Sequence, residues 1–116
     1  MQRREKIVLQ KICSEIGIAL NFLGDMTLEE FLFDERTKRA IGLTAINIGE
    51  LVKNLPQDFR KNYSQVAWKN AARFRDLVAH IYETLNMNDV YKTVSEDFPE
   101  MKAQIEKILE LDAEKN

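Results

Sequence analysis

The chain contains little glycine, proline and cysteine: four glycines, two prolines and one cysteine, Cys13, among 116 residues. Glycine and proline are the residues that most often interrupt regular structure, so their scarcity predicts long elements joined by few turns. A single cysteine excludes an internal disulfide framework and a cysteine-based metal site, which favours a reducing, cytoplasmic environment. Cys13 is expected to pack as a small apolar side chain.

Long apolar runs and an excess of positive charge are also missing. No run approaches the roughly 18 apolar residues of a membrane-spanning helix, and no signal-peptide pattern follows the basic residues at the start. The formal net charge is −2, which argues against general coating of nucleic acid. It remains compatible with an RNA enzyme that has a local positive site.

What is present is a helical pattern along nearly the whole chain. Apolar residues make up 45% of the sequence and charged residues 31%, as in an ordinary globular protein. They recur at helical spacing, without the strict alternation of a strand. We therefore predict one domain over residues 1–116, an all-α, up-down bundle of four to five helices.

Capping residues and apolar stripes place the helices. The predicted helical ranges are 4–23, 28–33, 35–55, 65–85, 89–97 and 99–111. Their expected starts are a Thr27–Glu30 capping box, N-caps at Asp34, Ser64 and Asn88, and Pro99 as a first helical residue. The stripes expected to face the core are Ile7, Val8, Ile12, Ile16, Ala19 and Leu23 on the first helix, and Ile41, Ala45, Ile48, Val52 and Leu55 on the third.

A polar cluster interrupts the otherwise core-like helix predicted at residues 65–85. Residues 75–82 read Arg-Asp-Leu-Val-Ala-His-Ile-Tyr and include the chain's one histidine, His80. Asp76 and His80 are four residues apart, so their side chains can meet, and a carboxylate beside an imidazole fixes its tautomer and raises its pKa. Arg75 and Tyr82 lie on nearly the same line of the helix.

This segment resembles the Arg-x4-His-x-Tyr signature of the HepT toxins of the HEPN superfamily. Trp68 earlier on the same helix, the sequence Ile48-Gly49-Glu50 and the helix end Asn54-Leu55-Pro56 are similar to that family as well, and the resemblance covers nearly the whole chain. Arg-x4-His alone is short, and the trailing Tyr82 with its helical context makes the match more specific.

The resemblance implies an all-α homodimer with the motif helices facing each other across the two-fold axis. It implies a metal-independent endoribonuclease that needs no cofactor and is the toxin of a two-gene system. The implied partner is a small nucleotidyltransferase-type antitoxin, which in this family can transfer AMP to the motif tyrosine, here Tyr82. The implied catalytic residues are Arg75, Asp76 and His80.

Elementary chemistry is compatible with these expectations. RNA cleavage without a metal requires a base for the 2′-hydroxyl, an acid for the leaving 5′-oxygen and a cation for the phosphate. One chain supplies one histidine, whereas a symmetric dimer supplies two histidines and two arginines. Glu50 either supports Arg75 across the bundle or is simply solvated.

Three other interpretations remain open. The polar face is a solvated charged surface, as most such faces are; or the chain is a non-catalytic HEPN-type module that binds a nucleotide or a nucleotidyltransferase partner; or it is a plain helical dimerisation domain. The intact pair of Arg75 and His80 favours the ribonuclease, because a pure binding module has no need of the histidine. The sequence does not indicate which RNA is cleaved.

Overall fold

The computed structural model describes residues 1–72 and 86–115, and within these ranges it contains helices and no strand. The described elements are α1 (Arg3–Leu23), α2 (Leu28–Phe33), α3 (Glu35–Lys53), α4 (Gln57–Asn62), a helical segment at residues 68–72 called α5, α6 (Met87–Lys92), a π-helical turn (Thr93–Asp97) and α7 (Phe98–Glu114). The predicted all-α fold is confirmed. None of the described helices is long and apolar enough to cross a membrane.

The predicted starts of α2 and α3 are confirmed by their capping hydrogen bonds. The backbone N–H of Glu30 donates to Thr27 Oγ1 at 3.2 Å, and the N–H of Thr27 donates to Glu30 Oε1 at 2.9 Å. That second bond lowers the pKa of the Glu30 carboxyl, because it stabilises the charged form. At α3 the N–H of Thr37 donates to Asp34 Oδ1 at 2.9 Å, so Asp34 is the N-cap.

Two predicted caps are wrong. Helix α5 begins at Trp68 rather than after Ser64, which lies in a turn, because the buried Trp68 indole donates from Nε1 to the Tyr63 carbonyl at 3.0 Å and closes that turn. At α6 the cap is Asn86 rather than Asn88. The Asn86 Oδ1 accepts from the N–H of Asn88 at 2.9 Å, the local bond that asparagine commonly makes two residues onward.

The helices predicted at 89–97 and 99–111 are continuous with each other, since the chain stays helical from α6 through the π-helical turn into α7, which begins at Phe98. Pro99, near the start of α7, lacks an N–H and would clash with the carbonyl four residues earlier in a regular α-helix. The wider turn just before it accommodates the ring. Val94 in that turn and Phe98 after it are buried, so core packing keeps the path continuous.

The core lies where α1 packs antiparallel against α3 on one side and α7 on the other. The five residues predicted to face the core from α3 are all buried, but the helix ends at Lys53 rather than at residue 55, so Leu55 is buried just beyond the helix. On α1 the prediction is wrong at Ile7, which is 39% exposed, while the nearby Leu9 is fully buried in its place. The buried α1 residues are Leu9, Ile12, Ile16, Ala19 and Leu23.

Candidate functional site

The motif residues fall outside the part of the chain that the structure describes. Arg75, Asp76, His80 and Tyr82 all lie between residues 72 and 86, so their proposed roles stay predictions. The structure does describe the two segments that lead into and out of the motif. It also describes Glu50, the fifth residue singled out from the sequence.

The segment that leads into the motif is anchored to the core by aromatic packing. Trp68 is buried, and its ring centroid lies 6.4 Å from that of Phe59, which in turn lies 4.8 Å from that of Tyr63. Val66 and Ala71, on either side of Trp68, are buried too. Trp68 is therefore a core residue and not an exposed platform on which RNA bases could stack.

The segment that follows the motif is anchored as firmly. Val90 is buried, and the Tyr91 hydroxyl donates to the Met26 carbonyl at 2.8 Å across the bundle. The Tyr91 ring packs against Phe31 with centroids 5.6 Å apart and planes inclined by 50°. The described residues on both sides of the motif are therefore held by buried contacts.

Glu50 lies at the edge of a groove between α1 and α3. The groove has a volume of about 440 Å³ and is lined by Lys11, Ser14, Glu15, Asn47, Glu50 and Leu51. The Asn47 amide donates from Nδ2 to Glu15 Oε2 at 3.4 Å and ties the two helices together. With one lysine and two glutamates, the groove lining carries more negative than positive charge.

Sequence reasoning found Glu50 but missed the residues beside it. Glu50 is exposed, whereas Ile48 and Gly49 just before it are buried. Asn47 lies three residues before Glu50 and therefore on the same side of α3. The spacing of Lys11, Ser14 and Glu15 indicates that they share one polar side of α1. Predicting that this side lies next to Glu50 required the register between α1 and α3.

Neither a metal nor a thiol nucleophile is indicated by the described residues. No group of three or more histidine, cysteine, aspartate or glutamate side chains that could hold an ion occurs within residues 1–72 and 86–115. Burial raises the pKa of the Cys13 thiol to about 11, with the nearby Glu106 carboxylate adding to the effect. The Cys13 thiol therefore stays protonated near neutral pH and unreactive.

The comparisons with known protein families and with individual proteins point to the same family. The model of the family described as "Ribonuclease HepT-like" matches residues 12–108, which include the stretch from Arg75 to Tyr82. A Thermococcus cleftensis protein named "Probable ribonuclease HepT" is 34% identical over 108 residues, covering 93% of this chain and 98% of that protein. No solved structure matches.

A second relative, from Methanocaldococcus jannaschii, is named as a "Putative RNase". It is 41% identical over 101 residues, which cover 87% of this chain and 84% of the relative. A further relative of the same description, from Caldanaerobacter subterraneus, is 33% identical over 102 residues, with 88% of this chain and 91% of the relative covered. Because the family model spans most of the sequence and these relatives align over nearly their full lengths, the chain belongs to the HepT-like ribonuclease family.

Proposed function

We propose that this protein is a metal-independent endoribonuclease and the toxin of a two-gene toxin–antitoxin system. Its active site forms across a two-fold dimer, where each copy contributes Arg75, Asp76 and His80. Membership of the HepT-like family over residues 12–108, together with the intact Arg75-x4-His80-x-Tyr82 pattern in that range, is the observation that carries the proposal.

The reaction is an attack of the RNA 2′-oxygen on the adjacent phosphorus. A neutral His80 of one copy takes the 2′-hydroxyl proton, the 2′-oxygen–phosphorus bond forms, and the bond from phosphorus to the 5′-oxygen breaks. A protonated His80 of the other copy gives its proton to the leaving oxygen. The two Arg75 guanidinium groups hold the phosphate and stabilise its developing charge. The products are a 2′,3′-cyclic phosphate and a 5′-hydroxyl.

Two neighbouring groups tune this site. Asp76, one helical turn before His80, orients the imidazole and stabilises its charged form. Glu50 supports the motif arginine from α3. The anchors described at Trp68 and Tyr91 support this arrangement indirectly, because a constellation of catalytic groups requires fixed ends for the segment that carries it.

The purified protein is expected to cleave single-stranded RNA in the presence of EDTA. In the proposed mechanism His80 transfers the protons and Arg75 stabilises the phosphate charge, so no metal ion is needed. Rate against pH should be bell-shaped, because one histidine must be neutral while the other is protonated. An RNA of the same sequence carrying 2′-O-methyl groups is the matched control and should stay intact, because it has no 2′-hydroxyl to attack. End-group analysis of the products by mass spectrometry tests the cyclic phosphate.

Two results would contradict the proposal. Activity that disappears in EDTA and returns with a divalent cation would replace the histidine mechanism by metal catalysis. Absence of cleavage, combined with tight binding of a nucleotide or of a nucleotidyltransferase, would favour the non-catalytic HEPN-type module instead.

Tyr82 is the proposed point of control by the antitoxin. Its hydroxyl oxygen attacks the α-phosphorus of ATP on a nucleotidyltransferase partner, pyrophosphate leaves, and the hydroxyl proton goes to solvent. The resulting phosphodiester places bulk and negative charge on the helix that carries Arg75, where it competes for the cation that must hold RNA. Modification of Tyr82 is therefore expected to abolish ribonuclease activity without unfolding the protein.

Intact-mass spectrometry checks the modification after incubation with ATP, magnesium and a small nucleotidyltransferase of the proposed antitoxin class. Wild-type protein should gain one AMP and lose ribonuclease activity, whereas Tyr82→Phe should gain nothing and stay active. Tyr63→Phe, which keeps the ring packed against Phe59 and the backbone carbonyl that accepts from Trp68, is the matched control for a tyrosine elsewhere in the chain and should be modified like wild type. An adduct that persists in Tyr82→Phe, or none on the wild type, would refute this regulation.

A further inference from the structure

The positive charge of the chain is concentrated in the residues that lead into the motif. Residues 1–56 contain eight basic and eight acidic residues, and residues 86–115 contain four basic and eight acidic residues. Residues 57–72, by contrast, contain three basic residues and one acidic residue. The basic residues are Arg60, Lys61 and Lys69. In a chain with a net charge of −2, this segment is therefore basic, and it ends three residues before Arg75.

Residues 57–72 form one packed unit, which we call the α4/α5 corner. It consists of α4, the turn that follows it and the described part of α5. The ring of Phe59 packs against the rings of Tyr63 and Trp68, and the Trp68 indole donates to the Tyr63 carbonyl across the turn. These contacts hold α4 and α5 together, so the backbone positions from which the basic side chains extend are fixed relative to one another.

The surface of the α4/α5 corner is polar and basic. Lys61 and Lys69 are exposed, and no large apolar side chain of the corner is exposed. The uncharged polar residues that are exposed beside the lysines are Asn62, Ser64, Gln65 and Asn70. The core of a protein interface is usually apolar, and so is the side of a helix that enters a membrane surface. Phosphate groups, by contrast, are bound by cations and polar donors, so the surface suits a nucleic-acid backbone.

The cations of the corner are not neutralised by carboxylates of the described residues. Neither Lys61 nor Lys69 forms an ion pair within residues 1–72 and 86–115. Arg60 is half-buried, and its buried Nε has no hydrogen-bond partner in the same part of the chain. An unpaired donor beside the core is costly, so an anion bound from outside would stabilise the Arg60 guanidinium as well as the two ammonium groups.

We propose that the α4/α5 corner binds the phosphate backbone of the RNA substrate and guides the strand to the motif, an inference that rests on the proposed function. Lys61 and Lys69 each contact a phosphate. Lys69 is six residues before Arg75, so their Cα atoms are at most about 20 Å apart, a distance that a short RNA strand spans. Because phosphate contacts carry no sequence information and the aromatic rings of the corner pack inward, binding here is independent of base identity.

Binding of a single-stranded RNA made of 2′-O-methyl nucleotides tests the corner without cleavage. The double variant Lys61→Gln, Lys69→Gln should bind about 25-fold more weakly at about 0.1 M salt, since each phosphate contact to a single strand contributes about fivefold there. The salt dependence, measured as the slope of log K against log salt, should become shallower by about 1.4. Lys107→Gln, Lys115→Gln removes two exposed lysines elsewhere and is the matched control, expected to bind like wild type. Fluorescence anisotropy measures the affinities.

Two further readouts separate a phosphate-binding surface from other roles. Oligo-U and oligo-A of equal length should show the same fold-loss in the double variant, because the contacts are to the backbone. In cleavage of unmodified RNA the loss should appear in KM rather than kcat, since contacts away from the scissile phosphate act equally on substrate and transition state. Circular dichroism should show unchanged helix content, because both lysines are exposed.

The proposal is overturned if the Lys61→Gln, Lys69→Gln variant binds RNA as tightly as the control variant, or if its loss is confined to one base sequence. Retained RNA binding together with lost binding of an acidic protein would make a protein the occupant, which also overturns it. Cleavage by the wild type with a dispensable corner would refute this proposal and leave the proposed function standing. Binding through the corner without cleavage would do the reverse, and a wild type that binds no RNA would refute both.

Discussion

Replacement of His80 by alanine is expected to lower the rate of RNA cleavage by about 10²- to 10⁴-fold, the range that general acid–base catalysis supplies. Arg75→Ala should lower it by about 10²- to 10³-fold, because a cation that stabilises the developing phosphate charge is then missing. Both losses should appear in single-turnover rates measured with saturating protein, which separates the chemical step from RNA binding.

The matched control is Lys107→Ala, which removes one exposed positive charge from α7 and is expected to retain wild-type activity. Circular dichroism and sedimentation should show all three variants folded and assembled like the wild type. If His80→Ala cleaves as fast as the wild type, His80 is not the catalytic acid or base, and the mechanism is wrong even if the family remains right.

Phe31→Ala is expected to lower the free energy of unfolding by about 3–5 kcal/mol, the usual loss when a fully buried aromatic side chain is truncated. Phe31 is 0% exposed and packs against the Tyr91 ring. The cavity left behind would loosen α2 from α6 near the bond from Tyr91 to Met26. Since the free energy of unfolding of a typical domain is roughly 5–15 kcal/mol, the expected loss is a large fraction of the total stability. Urea denaturation followed by circular dichroism measures it.

Phe33→Ala provides the matched control on the same short helix. Phe33 is 86% exposed, so its truncation should change the free energy of unfolding by no more than about 0.5 kcal/mol. Equal losses for the two variants would mean that the packing of α2 against the bundle is described wrongly.

Local chemistry explains why several elements were predictable. The capping box at Thr27 and the N-cap at Asp34 depend on side chains within three residues of the backbone groups they satisfy, so the sequence specifies them without the rest of the fold. The buried stripe of Ile41, Ala45, Ile48 and Val52 on α3 was predictable from their spacing, because an amphipathic helix in a bundle buries its apolar side.

The predictions of helix boundaries and buried residues are wrong where contacts between residues distant in sequence determine the structure. Trp68 moves the start of α5, because its indole must reach the Tyr63 carbonyl while its ring is buried against Phe59. Pro99 lies at the start of α7 as predicted, yet the chain before it stays helical through a π turn, where Val94 is buried. On α1, Leu9 is buried and Ile7 is exposed because of where α3 and α7 pack against the helix. The two side chains are equally apolar, so their hydrophobicity alone does not distinguish them.

By itself, the sequence determined that the chain is helical, where most helices begin, and that it carries the Arg75–Tyr82 pattern of the HepT-like family, because spacing, caps and motif are properties of adjacent residues. Only the tertiary structure decided that Asn47 and Glu15 lie beside Glu50 in one groove, joined across α3 and α1 by a hydrogen bond, and that Leu9 rather than Ile7 is buried on α1. These groupings depend on the register between α1 and α3, which is set by side-chain packing between helices and cannot be read from the periodicity of either helix alone.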